Sequence, residues 1–382
     1  MMQYRTLGRT GLNVSEIGLG CEGFSGKDAA FTRQILDYAM ERGLNCMDLY
    51  APDPALRSNL GAALRGRRER MILQGHLCTV WVQGQYQKTR NLEQVKASFA
   101  DLLMRLETDY VDIGMIHYVD TLADWEQVRT GGILDYALAQ KQAGHIRHIG
   151  ISSHNPTAAL AAAQSGIVDV ILFSVNPCYD LIPDKACWAD VAAEENFQQH
   201  LCNIDPVRAK LYETCQRLGV GITVMKVFAG GDLLSDKSPA GKALTVPQCL
   251  HYALTRPAVA SVLAGCHTRQ ELEDCLAYCS ASEQERDYAA AFAAFPRISW
   301  QGHCMYCGHC APCPKGISVA QVSKFYHLCK AQDTVPETVR EHYAALEHHA
   351  GECIGCGQCE SRCPFGVPIR QTMAQAKDIF GY

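Results

Sequence analysis

Short apolar runs alternate along most of the chain with longer stretches in which apolar residues recur at helical spacing. The longer stretches, such as 31–42, 91–106 and 208–218, predict amphipathic helices, and the short runs predict buried strands. This alternation is typical of repeated βα units and a parallel sheet. The predicted strands cover residues 17–20, 45–49, 71–75, 111–117, 146–152, 170–174, 221–226 and 260–263.

Eight such units within about 280 residues match the α/β fold of a (β/α)8 TIM barrel, whose active site would lie at the C-terminal ends of the strands. A doubly wound sheet is the alternative, but no Gly-x-Gly-x-x-Gly follows the first strand. One connection, 176–205, is much longer than the others. Loops of this length are usually lids or binding walls, although a solvated surface excursion is the plain alternative.

The strand and helix pattern stops after Phe295-Pro296, where a cysteine-rich segment begins. Its two runs read Cys304-x-x-Cys307-x-x-Cys310-x-x-Cys313-Pro314 and Cys353-x-x-Cys356-x-x-Cys359-x-x-x-Cys363-Pro364. Two-residue gaps let one tight loop place three thiolates around a cluster, as in bacterial ferredoxins. We therefore predict a barrel domain over 1–295 and a small α-helical ferredoxin-like iron–sulfur domain over 296–382, with helices over 319–329 and 338–348.

The two runs predict two 4Fe-4S clusters. In two-cluster ferredoxins the fourth cysteine of each run ligates the other cluster. On that rule one cluster takes Cys304, Cys307, Cys310 and Cys363, and the other takes Cys353, Cys356, Cys359 and Cys313. Structural zinc is the alternative, since Cys-x-x-Cys pairs also hold tetrahedral Zn²⁺, but zinc sites pair two such units rather than using runs of four.

Composition narrows the class of protein. The chain has 382 residues and a net charge of −5, with Lys and Arg dispersed, so we expect neither nucleic acid nor a membrane surface as a partner. No apolar run approaches a bilayer span. The opening Met1-Met2-Gln3-Tyr4-Arg5 lacks the apolar segment of a secretory signal, and the chain has 20 cysteines, which together favour a reducing cytoplasm.

Several segments resemble one enzyme family. Tyr4-Arg5-Thr6-Leu7-Gly8-Arg9-Thr10-Gly11-Leu12-Asn13-Val14-Ser15, followed by Ile17-Gly18-Leu19-Gly20, resembles the opening of an aldo/keto reductase. Asp109-Tyr110-Val111-Asp112 and His145-Ile146-Arg147-His148-Ile149-Gly150-Ile151-Ser152 resemble its fourth and fifth strands. The branch with a C-terminal double-cluster ferredoxin module is the most similar. The resemblance implies a TIM barrel that binds NAD(P)H and reduces a small-molecule carbonyl substrate.

The family uses a tetrad of Asp, Tyr, Lys and His, in which a tyrosine protonates the carbonyl oxygen and a lysine lowers its pKa. By resemblance Asp48 and His117 fill the aspartate and histidine positions. The tyrosine position holds Asp53, followed by Pro54, and the lysine position holds His76. We expect catalytic roles for Asp48, Tyr50, His76 and His117, with ordinary packing as the alternative for Tyr50.

The resemblance also implies cofactor-binding residues. Gly265, His267, Thr268 and Arg269 form a turn into a helix like the family's adenosine-phosphate site, where backbone N–H groups hold an anion. Lys226 begins the loop that would lie along the pyrophosphate. Ser152, Ser153 and Asn155 fall where the nicotinamide amide would be held, and a helix N-cap is the alternative for Asn155.

Three functions stay open at this point. The first is an NAD(P)H-dependent oxidoreductase with an altered proton donor, whose clusters serve structure or electron transfer to a redox partner protein. The second is a cluster-based electron-transfer protein or sensor whose barrel has lost hydride transfer. The third is non-redox chemistry such as elimination, with Asp48, His76 and His117 as acid and base.

Overall fold

The computed structural model describes residues 1–181, 201–202, 204–235, 238, 242–293, 298–299, 302, 304–330, 335 and 337–382. The chain divides into two compact units. The first comprises Met1–Val175, Gly219–Val227 and Ala258–Ala281, and the second comprises Asn176–Leu218, Phe228–Pro257 and Ser282–Tyr382. These units interleave along the chain, whereas the expected domains, 1–295 and 296–382, are contiguous; the domain boundary near residue 295 stays a prediction.

The strands follow the expected alternation. They are β1 Tyr4–Thr6, β2 Asn13–Ser15, β3 Ile17–Gly20, β4 Cys46–Leu49, β5 Ile72–Leu77, β6 Thr79–Val82, β7 Gln85–Lys88, β8 Val111–Ile116, β9 Ile146–Ser153, β10 Val170–Ser174, β11 Leu201–Cys202, β12 Gly221–Met225, β13 Val259–Gly265 and β14 Ile298–Ser299.

Eight of these strands close into a parallel barrel in the order β10-β12-β13-β3-β4-β5-β8-β9, all within the first unit. Every strand of the barrel overlaps one predicted from the apolar runs, so the (β/α)8 prediction is confirmed and the doubly wound sheet is excluded. Buried apolar side chains fill this unit, as TIM barrels require. One cluster of them comprises Leu7, Val14, Cys46, Ile113, Met115, Val170, Leu172, Ala260 and Leu263.

The helices of the first unit are α1 Ala29–Glu41, α2 Pro54–Leu64, α3 Leu92–Arg105, α4 Leu122–Thr130, α5 Ile133–Gln142, α6 Pro156–Gln164 and, later in the chain, α10 Arg269–Ala277. Most begin at a side chain that caps the first turn. Asp28 accepts a hydrogen bond from Phe31 N–H, and Asn91 accepts one from Gln94 N–H. Such caps satisfy backbone donors that the helix itself leaves free.

A hairpin that the apolar pattern did not predict follows β5. Strands β6 and β7 pair antiparallel, with Trp81 opposite Tyr86. Their two-residue loop, Gln83-Gly84, has positive φ at both positions, which suits the tight turns preferred by hairpins.

The second unit contains α7 Pro177–Leu181, α8 Pro206–Leu218, α9 Val246–Leu254, α11 Glu283–Arg286, α12 Tyr288–Ala293, α13 Val319–Lys330, α14 Glu337–Ala344, α15 Gln358–Arg362 and α16 Ile369–Phe380. Helices α13 and α14 confirm the two predicted between the cysteine runs, although α14 ends earlier than expected. Most of the long connection after β10, 182–200 and residue 203, lies outside the described residues, so the lid stays a prediction.

A fully buried polar network ties helices of the second unit together. Asp180 of α7 accepts hydrogen bonds from Arg208 and Tyr212 of α8, and from Tyr252 of α9. Arg256 follows α9, and its Nη2 donates to the Met305 carbonyl oxygen at 2.7 Å. Tyr288 of α12 donates its hydroxyl to the same carbonyl oxygen at 2.7 Å. The loop that contains the first cysteine run is thereby anchored to buried groups.

Among the described residues, no helix combines the length and apolar character needed to cross a bilayer.

Candidate functional site

Three polar side chains converge where β4, β5 and β8 end. Asp48 lies in β4, His76 lies in β5, and His117 directly follows β8. His76 Nε2 lies 2.8 Å from Asp48 Oδ1, and His76 Nδ1 lies 2.7 Å from His117 Nδ1. All three are buried, with exposed fractions of 6%, 1% and 8%. The structure thus brings three of the four expected catalytic residues into one hydrogen-bonded chain.

The hydrogen-bonded chain of side chains continues from Asp48 into the barrel. Gln74 Nε2 donates to Asp48 Oδ1 at 3.0 Å, and the Gln74 side-chain oxygen accepts from Thr223 Oγ1 at 2.9 Å. Gln74 and Thr223 are fully buried neutral groups. They hold the Asp48 carboxylate in place without adding charge. Of the described side chains that contact this carboxylate, His76 is the one that can carry a positive charge.

Two tyrosines cover His117. The Tyr50 ring stacks on the imidazole with ring centroids 5.9 Å apart and planes 8° from parallel. The Tyr86 hydroxyl, from the β6–β7 hairpin, lies 2.6 Å from His117 Nε2. Tyr86 was missed at the level of sequence. Its only signal was the Gln83-Gly84 turn between two short alternating segments, which predicts a hairpin but not the direction of the tyrosine.

Burial controls the electrostatics of these rings. It lowers the pKa of His117 well below its ordinary value, and the neighbouring His76 lowers it further, so His117 is neutral near pH 7. Burial raises the pKa of Tyr86 to about 12. It also raises the pKa of Tyr50, with Glu22 contributing through its charge and a hydrogen bond. Both phenols therefore keep their protons at neutral pH.

The two positions where the chain departs from the family tetrad have clear structural roles. Asp53, at the tyrosine position, is the N-cap of α2 and accepts from Ala55 N–H and Leu56 N–H. Pro54 begins the same helix, where its missing N–H costs nothing. His76, at the lysine position, makes the two contacts of the buried chain. Asp53 in place of the family's tyrosine removes a phenol. His76 in place of the family's lysine exchanges a permanently charged ammonium for an imidazole, which can be neutral.

The residues expected around a nicotinamide amide lie beside the Asp48–His76–His117 chain. Their side chains make hydrogen bonds to neighbouring residues of the protein. Ser152 Oγ accepts from Tyr118 N–H and lies 3.3 Å from His117 Nδ1. Ser153 Oγ donates to the Val119 carbonyl oxygen. Asn155 is the N-cap of α6 and accepts from Ala158 N–H. Lys226 directly follows β12 with a φ of +61°.

The expected phosphate-binding turn connects β13 to α10. Gly265 ends β13, and Thr268 is the N-cap of α10, where it accepts from Glu271 N–H. The His267 N–H donates to Glu271 Oε2 at 2.6 Å. The backbone of this turn therefore already holds an anionic oxygen.

The arginine of the same turn, Arg269, also has partners within the protein. Arg269 pairs with Glu273 at 2.9 Å, and its guanidinium lies over the Tyr38 ring. Gly23 has no side chain, and a Cβ there would collide with the Cys266 carbonyl oxygen at 1.8 Å, so only glycine lets the 21–24 segment lie against the turn.

The eight cysteines of the two runs surround two cavities in the second unit. One cavity is lined by Cys304, Cys307, Cys310 and Cys363. The other is lined by Cys313, Cys353, Cys356 and Cys359. Each cavity thus receives three cysteines from one run and the last cysteine of the other, which is the pairing that the spacing predicts. Among the described residues, no three His, Cys, Asp or Glu side chains converge closely enough to form a single-ion site.

Comparison with known proteins agrees with these observations. The sequence model of the aldo/keto reductase family matches residues 16–246, and that of the 4Fe-4S binding domain matches residues 346–369. The chain is 28% identical over 297 residues to the uncharacterized oxidoreductase YqkF of Bacillus subtilis, covering 72% of this chain and 90% of that protein. It is 27% identical over 162 residues to the aldo-keto reductase YhdN of the same organism, covering 40% and 47%.

A solved structure shares the fold. The aldo-keto reductase AKR11C1 of Bacillus halodurans, in its holo form, superposes with a TM-score of 0.57 at 24% identity, covering 76% of this chain and 96% of that one. The 4Fe-4S match supports an iron–sulfur cluster in the C-terminal segment. Because the family model matches more than half of the sequence, the chain belongs to the aldo/keto reductase family and carries a 4Fe-4S ferredoxin-type domain.

Proposed function

We propose that the protein is an NAD(P)H-dependent oxidoreductase that reduces a small-molecule carbonyl compound at the mouth of its barrel. The observation that carries the proposal is the hydrogen-bonded chain from Asp48 through His76 to His117, buried at the C-terminal ends of the strands. Active sites of TIM barrels lie at these ends. A buried chain of one carboxylate and two imidazoles suits proton transfer at neutral pH.

A bound nicotinamide would supply the hydride for this chemistry. The turn that precedes α10, where the resemblance places the adenosine phosphate, has a backbone N–H that can bind an anionic oxygen, as the contact of His267 N–H with Glu271 illustrates. The same turn opposes an additional phosphate, since Glu271 and Glu273 occupy its N–H and its arginine. Repulsion between these carboxylates and a 2′-phosphate favours NADH over NADPH.

The cysteine sets suit two 4Fe-4S clusters. Four thiolates around one cavity are the donor set that such a cluster requires. Each cluster would exchange single electrons, whereas hydride transfer moves two at once. We therefore assign the clusters to electron exchange with a redox partner protein or to structure, separately from the proton chemistry of the barrel.

One observation favours a second candidate. The tetrad tyrosine and lysine are replaced by a helix cap and a histidine, Asp53 and His76. A barrel that no longer transfers hydride would leave a cluster-based electron-transfer protein or sensor. This candidate predicts reducible clusters without nicotinamide affinity.

An anaerobic titration separates the two candidates. Reconstituted full-length protein is titrated with NADH and NADPH while nicotinamide fluorescence, visible absorption and EPR are followed, and turnover is measured on a panel of aldehydes and ketones. The proposal expects saturable NADH binding and oxidation of NADH by at least one carbonyl compound. Reducible clusters with no fluorescence change and no turnover would establish the second candidate.

A further inference from the structure

We infer that Tyr86 exchanges the proton with the substrate, and that a single proton on the His76–His117 pair decides whether Tyr86 gives a proton or takes one. The inference rests on the proposed carbonyl chemistry of the same site and names the residue that performs its proton step.

Tyr86 forms the outer end of the buried chain. Its hydroxyl lies 2.6 Å from His117 Nε2, and the residue is 39% exposed, whereas Asp48, His76 and His117 are buried. Tyr50 differs, because it contacts His117 through its ring face. Among the residues of the chain, Tyr86 is therefore the one through which a proton can pass between the buried groups and a substrate.

The contacts fix the direction of every hydrogen bond once the charge of His76 is given. Consider first a neutral His76. The Asp48 carboxylate only accepts, so the proton of His76 is on Nε2, and His76 Nδ1 is an acceptor. His117 must then donate from Nδ1, which leaves its Nε2 as an acceptor for the Tyr86 hydroxyl. All bonds point inward, and the Tyr86 oxygen is free to accept a proton.

One additional proton on His76 reverses the direction of the two outer hydrogen bonds, between His76 and His117 and between His117 and Tyr86. A cationic His76 donates from Nε2 to Asp48 and from Nδ1 to His117 Nδ1. His117 then carries its proton on Nε2 and donates to the Tyr86 oxygen. The Tyr86 hydroxyl hydrogen is released toward the substrate. His117 is neutral in both states, in agreement with the low pKa that burial gives it.

The step balances in each direction. In carbonyl reduction a bound nicotinamide would supply the hydride to the carbonyl carbon, and Tyr86 would give its proton to the carbonyl oxygen. Tyr86 recovers a proton from His117 Nε2, His117 Nδ1 takes one from His76, and His76 becomes neutral. Alcohol oxidation is the reverse, in which the hydroxyl proton enters at Tyr86 and His76 becomes cationic. Ser152 adapts to both states, because its hydroxyl near His117 Nδ1 can donate or accept.

The charge of His76 is set by groups on several surrounding elements. Asp48 contacts His76 directly, with Oδ1 2.8 Å from Nε2. Lys88 and Arg90 lie on the side of His117, where their charges act against further positive charge. The titratable and charged groups around the pair are Asp48, Cys21 and Cys46 on the β3–β4 side, Glu22 and Tyr50 above the rings, Tyr86, Lys88 and Arg90 from the hairpin and the segment after it, and His154 after β9.

The two directions should therefore depend on pH in opposite ways. Reduction needs the cationic His76 and falls as pH rises. Oxidation needs the neutral His76 and rises over the same interval. Both profiles should share one apparent pKa, because one proton separates the two states.

The first test does not depend on activity. Nitrogen-15 NMR of the full chain with labelled histidine rings, assigned by comparison with His117→Asn, reports which nitrogen of His117 carries its proton. We expect His117 to be protonated on Nε2 at low pH and on Nδ1 at high pH. A neutral His117 that keeps one tautomer across the titration would overturn the inference, even if carbonyl turnover is observed.

The second test removes the outer hydroxyl. Tyr86→Phe should lower kcat in both directions by about 10²- to 10⁴-fold, the usual contribution of a positioned acid or base, and should abolish the opposed pH profiles while NADH affinity is retained. Gln87→Ala, exposed on the same strand with its side chain on the opposite face, is the matched control and should keep both profiles.

Two outcomes of the second test are decisive. If Tyr86→Phe keeps the wild-type kcat and profiles while Tyr50→Phe loses them, the assignment to Tyr86 is wrong. If neither the wild type nor Tyr86→Phe binds NADH or turns over carbonyls, the proposed function fails, and the NMR titration still decides whether the proton order reverses.

Discussion

The Nδ1 atoms of His76 and His117 lie 2.7 Å apart in the buried mouth of the barrel. Two such nitrogens tolerate this distance only when one carries a proton and the other does not. The pair therefore has a defined proton order that depends on total charge. A lysine at the position of His76 would impose one fixed order, because its ammonium only donates.

Replacing Asp48 by asparagine should disable proton transfer without unfolding the barrel. The carboxylate accepts from both His76 and Gln74, whereas an amide offers only one accepting atom and can donate to His76 Nε2. We expect kcat to fall about 10²-fold or more, with NADH affinity nearly unchanged. Steady-state kinetics and fluorescence titration measure the two quantities. Asp109→Asn, at an exposed position, should match the wild type, and equal losses in both variants would contradict the prediction.

The cofactor preference should depend on the two carboxylates of the turn before α10. Removing charge with Glu271→Gln and Glu273→Gln should tighten NADPH binding by up to about 30-fold, since exposed charge pairs contribute roughly 0–1 kcal/mol each. NADH binding should change little, because NADH lacks the 2′-phosphate. Fluorescence titration at low and moderate salt gives both affinities. Glu93→Gln, at an exposed position in the first turn of α3, is the control, and unchanged NADPH affinity in the double variant would refute the proposed repulsion.

Paired cysteine variants can test the crosswise ligation. Cys304 and Cys363 line one cavity, whereas Cys313 lines the other. Cys304→Ser with Cys363→Ser should therefore damage one site and leave about half of the iron and sulfide bound. Cys304→Ser with Cys313→Ser should damage both sites and lower iron further. Anaerobic metal and sulfide analysis with EPR measures the difference, and the reverse order of losses would show that each run ligates its own cluster.

The buried network around Asp180 should dominate the stability of the second unit. Asp180→Ala would leave Arg208 buried without its carboxylate partner. Removing one member of a buried ion pair typically costs about 3–5 kcal/mol. Anaerobic urea unfolding, followed by circular dichroism and cluster absorption, should show a large fall in the midpoint. Arg129→Ala, which removes an exposed pair with Glu126, should cost about 1 kcal/mol or less, and similar losses would argue against the network.

The barrel could be predicted from the sequence because its strands are apolar and its helices amphipathic. Each of these patterns follows directly from burial, so even strand ends such as Ile17 and Gly20 were located correctly. The cysteine runs were equally clear, since their spacing encodes ligation. Asp48, His76 and His117 were singled out by their positions in the family resemblance, and the structure places the three side chains in contact; their catalytic roles stay a prediction.

The outer part of the site could not be predicted in the same way. Tyr86 reaches His117 through a hairpin whose short strands are largely exposed and carry little apolar signal. The partner of His76 could not be read from sequence either, because His117 lies 41 positions away and the contact depends on strand register. The sequence shows only that Asp53 occupies the position of the family's tyrosine, whereas the structure shows that Asp53 is the N-cap of α2.

The hydrogen bonds from Arg256 and Tyr288 to the Met305 carbonyl oxygen have a consequence for any shortened form of this protein. A truncation just before the cysteine runs would remove the Met305 carbonyl oxygen, the nearest acceptor of Arg256 Nη2, and would leave a buried guanidinium with fewer hydrogen bonds. A segment that carried only the cysteine runs would lack the guanidinium and the phenol that hold the Met305 carbonyl oxygen, so it would have to be transferred together with the other parts of the second unit that contain Arg256 and Tyr288.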